Sequence, residues 1–90
     1  MLIGVPKEIK VLEHRVGLTP ASVREVVHHG HQAIVERDAG QGIGASDDDY
    51  VRAGATIAAT ASEVWAKAQM IVKVKEPQAA ERALLKPGQL

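Results

Sequence analysis

Leu2-Ile3-Gly4-Val5-Pro6 opens the chain, and after a polar stretch Leu18-Thr19-Pro20 leads through Val23, Val26 and Val27 to Gly30 and Ala33-Ile34-Val35. The first run is short, apolar and stopped by proline, which predicts a buried strand. Thr19 at the N-cap and Pro20 at N1 predict a helix start, because the hydroxyl satisfies an orphan amide and proline has none to orphan. Leu18 and Val23 have the spacing of a hydrophobic staple, the three valines share one face, and Gly30 is the expected C′ residue. Ala33 to Val35 is then a second buried strand. Strand, helix and strand in this order predict a parallel βαβ unit.

The alternation continues. Ser46 caps a short helix that ends at Gly54, and Ala55 to Ala59 is a third strand. Thr60-Ala61-Ser62-Glu63 has the form of a capping box and opens a helix carrying Val64, Trp65 and Ala68. Met70 to Lys75 is predicted as a strand closed by Pro77, residues 79–85 as helical, and Lys86-Pro87-Gly88 as a turn. The expected fold is α/β: an open, mostly parallel sheet with helices on both faces. Residues 1–90 contain no repeat, low-complexity segment or internal boundary, and Gln89-Leu90 stand where a further strand is expected, so the sequence reads as truncated.

Composition narrows the function. Eleven basic and eleven acidic residues give a formal net charge of zero, against a nucleic-acid or polybasic membrane partner. There is no cysteine, which excludes a disulfide scaffold and thiolate catalysis. No apolar run has the roughly 18–20 residues of a membrane span, and no signal peptide is evident, so a cytoplasmic location is expected. Tyr50 and Trp65 are the only aromatic residues. The apolar mass is aliphatic, which suits helices on a parallel sheet rather than a base-stacking platform.

Ligands of open parallel sheets bind at the carboxyl ends of the strands. Two segments bring cations there: the loop after the first strand, with Lys7, His14 and Arg15, and the end of the 70–75 strand, with Lys75. A guanidinium fork and an ammonium converging at that edge suit a small carboxylate. Against this stands the commoner arrangement, in which Arg15 and Lys75 are surface cations paired with Glu13 and Glu76. Lys73 shares a face with Lys75 by the strand period, as a supporting or solvated residue.

Gly4-Val5-Pro6-Lys7-Glu8, Glu13-His14-Arg15-Val16-Gly17-Leu18-Thr19-Pro20, Gly30-His31, Ala39-Gly40, Ala53-Gly54-Ala55, Val64-Trp65 and Lys73-Val74-Lys75-Glu76-Pro77 follow one another in order along nearly the whole chain. Together they resemble the N-terminal, substrate-side part of the NAD-dependent alanine dehydrogenase and nicotinamide nucleotide transhydrogenase family. The resemblance implies a Rossmann- or flavodoxin-like domain. It also implies a full-length enzyme that reversibly deaminates L-alanine to pyruvate and ammonium with NAD, as a homo-oligomer, often a hexamer. Arg15 and Lys75 would bind the substrate, with Lys75 also catalytic by polarising its carbonyl. The resemblance places NAD on a domain absent from this chain, so residues 1–90 alone are expected to be inactive, and no metal is implied. His14 and Gly17 stand where the family leads one to expect Asn and Ala.

Other features invite different functions. Gly40-Gln41-Gly42-Ile43-Gly44-Ala45 satisfies the dinucleotide fingerprint and follows a strand. The helix after it, however, begins Asp47-Asp48-Asp49, which would repel a pyrophosphate. His28, His29 and His31 cluster without a cysteine or carboxylate to complete a metal site, and Trp65 is expected in the core. The alternatives are the NAD-binding subunit of a proton-translocating transhydrogenase, whose corresponding segment typically lacks the second lysine and the glutamate, a saccharopine dehydrogenase, and a non-catalytic 90-residue interaction module.

Overall fold

The computed structural model describes residues 1–90. Four strands, β1 (Leu2–Val5), β2 (Gln32–Glu36), β3 (Thr56–Ala58) and β4 (Met70–Ile71), lie parallel in the order β3-β2-β1-β4. Between them run α1 (Pro20–His28), α2 (Asp47–Arg52) and α3 (Ala61–Lys67), and α4 (Ala79–Arg82) follows β4. Alternation along β2 divides the core into two layers. Ala33 and Val35 join Val5, Val23 and Tyr50 beneath α1 and α2, whereas Ile34 joins Ala58 and Val64 beneath α3. The expected open parallel sheet with helices on both faces is what the chain forms.

Local signals set most boundaries. Thr19 Oγ1 accepts the Ser22 amide at 3.2 Å, and Leu18 packs into the same cluster as Val23. Ser46 and Asp49 exchange both bonds of a capping box at the start of α2. At α3 only half of the expected box forms. Thr60 accepts the Glu63 amide, but the Glu63 carboxylate turns to Lys67 at 2.7 Å. The helix expected over 79–85 is α-helical only to Arg82. Trp65 is buried, as expected.

The chain steps outward from β1 to β2 to β3 with its helices on one face. It then returns past β1 to β4 with α3 on the other, the arrangement that right-handed crossovers require. β1 and β4 therefore flank the topological switch point, and the crevice outside their carboxyl ends is the place such a sheet offers a ligand.

One expectation is corrected here. The strand foreseen over Met70 to Lys75 pairs as β-structure only at Met70 and Ile71, with a last bond from the Val72 amide to Gly4 O at 3.0 Å. The cause is Glu8, whose side chain lies buried in a loop that reads as polar surface. Its carboxylate accepts the amides of Val74 at 3.0 Å and Lys75 at 3.2 Å, together with the Lys73 ammonium at 2.9 Å. Donors that would have continued a ladder are diverted onto a side chain, and the chain bends away from the sheet. Lys73 also donates to Lys75 O at 2.9 Å and approaches Glu81 at 3.4 Å, so it supports Lys75 from within.

Two glycines allow backbone to lie on backbone around this loop. A Cβ at Gly17 would collide with the carbonyl of Val72, and one at Gly42 with the carbonyl of His14. Gly17 thus brings the 13–17 segment against the end of β4, and the 40–45 loop supports it from beneath. An alanine at either place requires one backbone to move.

Removing Lys73 leaves Glu8 and Glu81 buried without their cation. Lys73→Ala is therefore expected to destabilise the protein by about 3–5 kcal/mol, read as a lowered urea midpoint at unchanged slope. Gly42→Ala is expected to cost roughly 1–3 kcal/mol by overpacking in the same assay. Wild-type stability for Gly42→Ala would mean that the 40–45 loop does not bear on the Arg15 loop.

Candidate functional site

The loop after β1 rises from buried Glu8 through a turn closed by the Glu13 amide on Lys10 O at 3.1 Å. Leu12 sits in this turn at φ 67°, a left-handed backbone for a leucine. From it the loop descends through Glu13, His14 and Arg15 to buried Val16, which anchors it in the core beneath α1 and α2. The chain after β4 is fastened to Glu8 and delivers Lys75 to the same place.

Glu13 is where they meet. Its Oε2 accepts Arg15 Nε at 3.0 Å and the Arg15 amide at 2.9 Å, and its Oε1 accepts Arg15 Nη2 at 3.0 Å. Lys75 Nζ lies 4.0 Å from the same Oε1. The Glu13 side chain is only 5% exposed, against 67% for Arg15 and 38% for Lys75. The arrangement is a sheltered carboxylate with two accessible cations on it. The Arg15 side-chain hydrogen bond, then the Arg15 amide and the charge of Lys75, push the Glu13 carboxyl down to about 2. Because the folded value lies below the unfolded one, the resulting stabilisation is complete above the ordinary carboxylate range and fades as pH falls toward 2. At neutral pH the group is an anion. The Arg15 guanidinium is held charged above its usual range, by Glu13 first, with Glu8 adding to the field.

Arg15 and Lys75 thus come together, yet not with the partners a surface pairing would give to both. Arg15 does pair with Glu13. Glu76, the neighbour available to Lys75, instead accepts Lys10 at 2.8 Å, and that bond holds its carboxyl down at about 2. Two adjoining clefts, of about 310 and 490 Å³, share Glu13, His14 and Arg15, and Lys75 lines the second. Both are bordered mainly by polar groups. The second, with Lys10, Arg15 and Lys75 against Glu13, offers positive charge and hydrogen bonds to a small anion rather than an apolar bed, whereas the first also carries Glu8 and Asp38. Lys7 borders the first cleft, and its backbone amide is held by Glu36 at 2.9 Å.

Glu8 and the glycines at 17 and 42 escape sequence reasoning as site-builders. A charged residue in a polar loop carries no mark of burial, and neither glycine sits at a positive φ. For Gly17, the replacement of the alanine expected there was the only signal.

The 40–45 loop does not fit a dinucleotide. Gln41–Ile43 form a single 3-10 turn, and Ser46 takes the Asp49 amide at the start of α2. Asp47 reaches back to the Asp38 amide at 2.9 Å. The helix end that would face a pyrophosphate is already capped and carries three acids. Its glycines at 40 and 42 are accounted for by contacts with Tyr50, Ala45 and His14. His28, His29 and His31 are exposed at the far end of α1, and no three potential ligands are grouped to hold a metal ion.

Residues 4–90 match the family described as alanine dehydrogenase/PNT, N-terminal domain. The chain is 54% identical over 90 residues to an alanine dehydrogenase of Methanococcus maripaludis, covering all of this chain and 24% of that protein. It is 46% identical over 89 residues to one of Mycolicibacterium smegmatis, with 99% and 24% covered. A solved L-alanine dehydrogenase superposes with a TM-score of 0.92 at 52% identity, over 96% of this chain and 24% of the other. A transhydrogenase from Sinorhizobium meliloti superposes with a TM-score of 0.90 at 32% identity, over 98% and 25%. The chain spans about a quarter of the length of the relatives it matches. It belongs to the alanine dehydrogenase/PNT N-terminal domain family.

Proposed function

We propose that residues 1–90 are the substrate-binding segment of an alanine dehydrogenase, which reversibly converts L-alanine to pyruvate and ammonium with NAD. The observation that carries this is the convergence of Arg15 and Lys75 on one carboxylate at the switch point of the sheet. A site that already gathers two cations around a carboxylate is built for the charge and shape of a second one. The level of identity to proteins named alanine dehydrogenase, 54% against 32% for the transhydrogenase, supports the dehydrogenase assignment. So does the presence of Lys75, which lines the second cleft, and of Glu76, which pairs with Lys10.

In this role Arg15 grips the substrate carboxylate through the fork edge that Glu13 leaves open. Lys75 lies between the carboxylate and the carbonyl, where negative charge gathers on oxygen as the carbonyl carbon is attacked. An ammonium fixed beside that oxygen favours the transition state more than the ground state. The backbone of Lys75 is fixed, its amide held by Glu8 and its carbonyl by Lys73, and its ammonium is drawn toward Glu13 at 4.0 Å. NAD belongs to the full-length enzyme and is held by no residue of this segment. Homo-oligomeric assembly likewise belongs to the full-length protein.

In the full-length enzyme Lys75→Ala is expected to lower turnover by about 10²–10³ even at saturating pyruvate. Arg15→Lys keeps the charge and loses the fork. It is expected to raise the KM for pyruvate roughly tenfold to a hundredfold with turnover recovered at high substrate. Steady-state kinetics of the two variants decide it: near-normal turnover for Lys75→Ala at saturation sinks the catalytic role. Calorimetric titration of NAD into residues 1–90 is expected to give no binding heat. A micromolar dissociation constant would return the 40–45 loop to candidacy as a coenzyme site.

A further inference from the structure

The guanidinium of Arg15 has two hydrogen-bonding edges, and they are used unequally. The Nε/Nη2 edge is spent on Glu13, one oxygen to each nitrogen at 3.0 Å. The Nη1/Nη2 edge has no protein partner among the hydrogen bonds of Arg15 and belongs to a side chain that is two-thirds exposed beside both clefts. A bidentate carboxylate needs a whole edge in a fixed plane. An arginine on a surface loop ordinarily has neither, because its rotamers are many and its orientation is set by water.

Glu13 removes that freedom. Its carboxylate is itself fixed, 95% sheltered, and bound to the Arg15 backbone amide as well as to the side chain. It therefore locks the guanidinium to its own backbone. The same carboxylate lies 4.0 Å from Lys75 Nζ, drawing the ammonium toward the guanidinium that would otherwise repel it. The two cations would not otherwise be expected to stay close.

We propose that Glu13 is the positioning residue of the substrate clamp, holding one edge of Arg15 and the ammonium of Lys75 so that the other edge of Arg15 is presented, in plane, to the substrate carboxylate. This rests on Arg15 and Lys75 binding the substrate, and adds that their competence depends on a third residue that does not touch it. Glu13 is ionised throughout the working range, so the clamp carries one net positive charge from two cations and one anion. An incoming carboxylate neutralises it without a proton changing hands.

The test is a set of variants of the full-length enzyme assayed with pyruvate. Glu13→Gln keeps the shape and loses the charge. It is expected to raise the KM for pyruvate about tenfold, with a smaller fall in turnover at saturation because the Lys75 ammonium loses its partner as well. The inhibition constant of propionate, a carboxylate with no carbonyl, is expected to rise by the same factor, because the defect lies at the carboxylate end. Glu13→Asp keeps the charge on a shorter stem and is expected to fall between, and it carries the test should Glu13→Gln not fold. In an Arg15→Lys background Glu13→Gln is expected to add little, since it acts through a fork no longer present. Three results would overturn the proposal: a KM unchanged by Glu13→Gln while Arg15→Lys raises it, effects of the two that multiply, or a KM that falls, which would make Glu13 a competitor of the substrate. If neither Arg15→Lys nor Glu13→Gln moves the KM, the clamp itself is wrong and this role falls with it.

Discussion

A carboxylate at the carboxyl end of β1, Glu8, ties together two segments 66 residues apart. Its oxygens bind the amides of Val74 and Lys75 and the ammonium of Lys73. Without these bonds the chain after Ile71 would have the choice of continuing along β1 as a strand. With them it leaves the sheet at a fixed point and hands Lys75 to the loop that carries Arg15. Everything at the switch point follows from that diversion. The 13–17 segment can approach because Gly17 gives it room over Val72, and the 40–45 loop supports it because Gly42 gives it room under His14.

The charges form two tiers. The lower is buried: Glu8, Lys73 and Glu81 bring two carboxylates to one ammonium, and one Glu81 oxygen has no hydrogen-bond partner in the protein. The upper is at the surface: Glu13 with Arg15 and Lys75 brings one carboxylate to two cations. The tiers have opposite surpluses, and each favours the other. Burial pushes the Glu36 carboxyl up, and the field of Glu81 contributes to the same shift. That of Glu8 helps hold Arg15 protonated above. A buried ion pair by itself is weak evidence of stability, because desolvation consumes much of the attraction. Its more evident product here is geometry, since the same carboxylate that neutralises Lys73 also fixes two backbone amides.

Local chemistry made most of the fold legible. Thr19-Pro20, Ser46, and the apolar runs at Leu2–Val5 and Ala33–Val35 each declare themselves within a few residues, and each stands where its residues predict. The end of β4 was illegible for the opposite reason. Val72 to Lys75 alternate as a strand should, and the competitor for their amides lies in a distant loop. Glu63 shows the same limit on a smaller scale: a capping-box spacing cannot say that Lys67, one turn on, will take the carboxylate instead. The cations of the site were visible as residues, and Glu13 as an ordinary ion-pair partner. That one glutamate would serve both cations, leaving Glu76 to Lys10, depends on the turn at Lys10–Glu13, which brings the chain back on itself.

On the proposed role, the composition of the clefts limits what this segment can contribute to selectivity. Charge and a planar fork distinguish a carboxylate from neutral molecules strongly, because an unpaired guanidinium edge gains nothing from a ligand that cannot accept from it. They distinguish pyruvate from longer 2-oxo acids poorly, since that requires an apolar wall against the side chain, and a missing or extra methylene is worth only about 1–3 kcal/mol even there. The larger cleft does have Val11 and Leu12 on its border, but each is 85% exposed, too open to form such a wall by themselves. In that role, residues 1–90 would supply the anchor for the carboxylate and the charge beside the carbonyl. The choice among side chains requires surfaces packed over that loop.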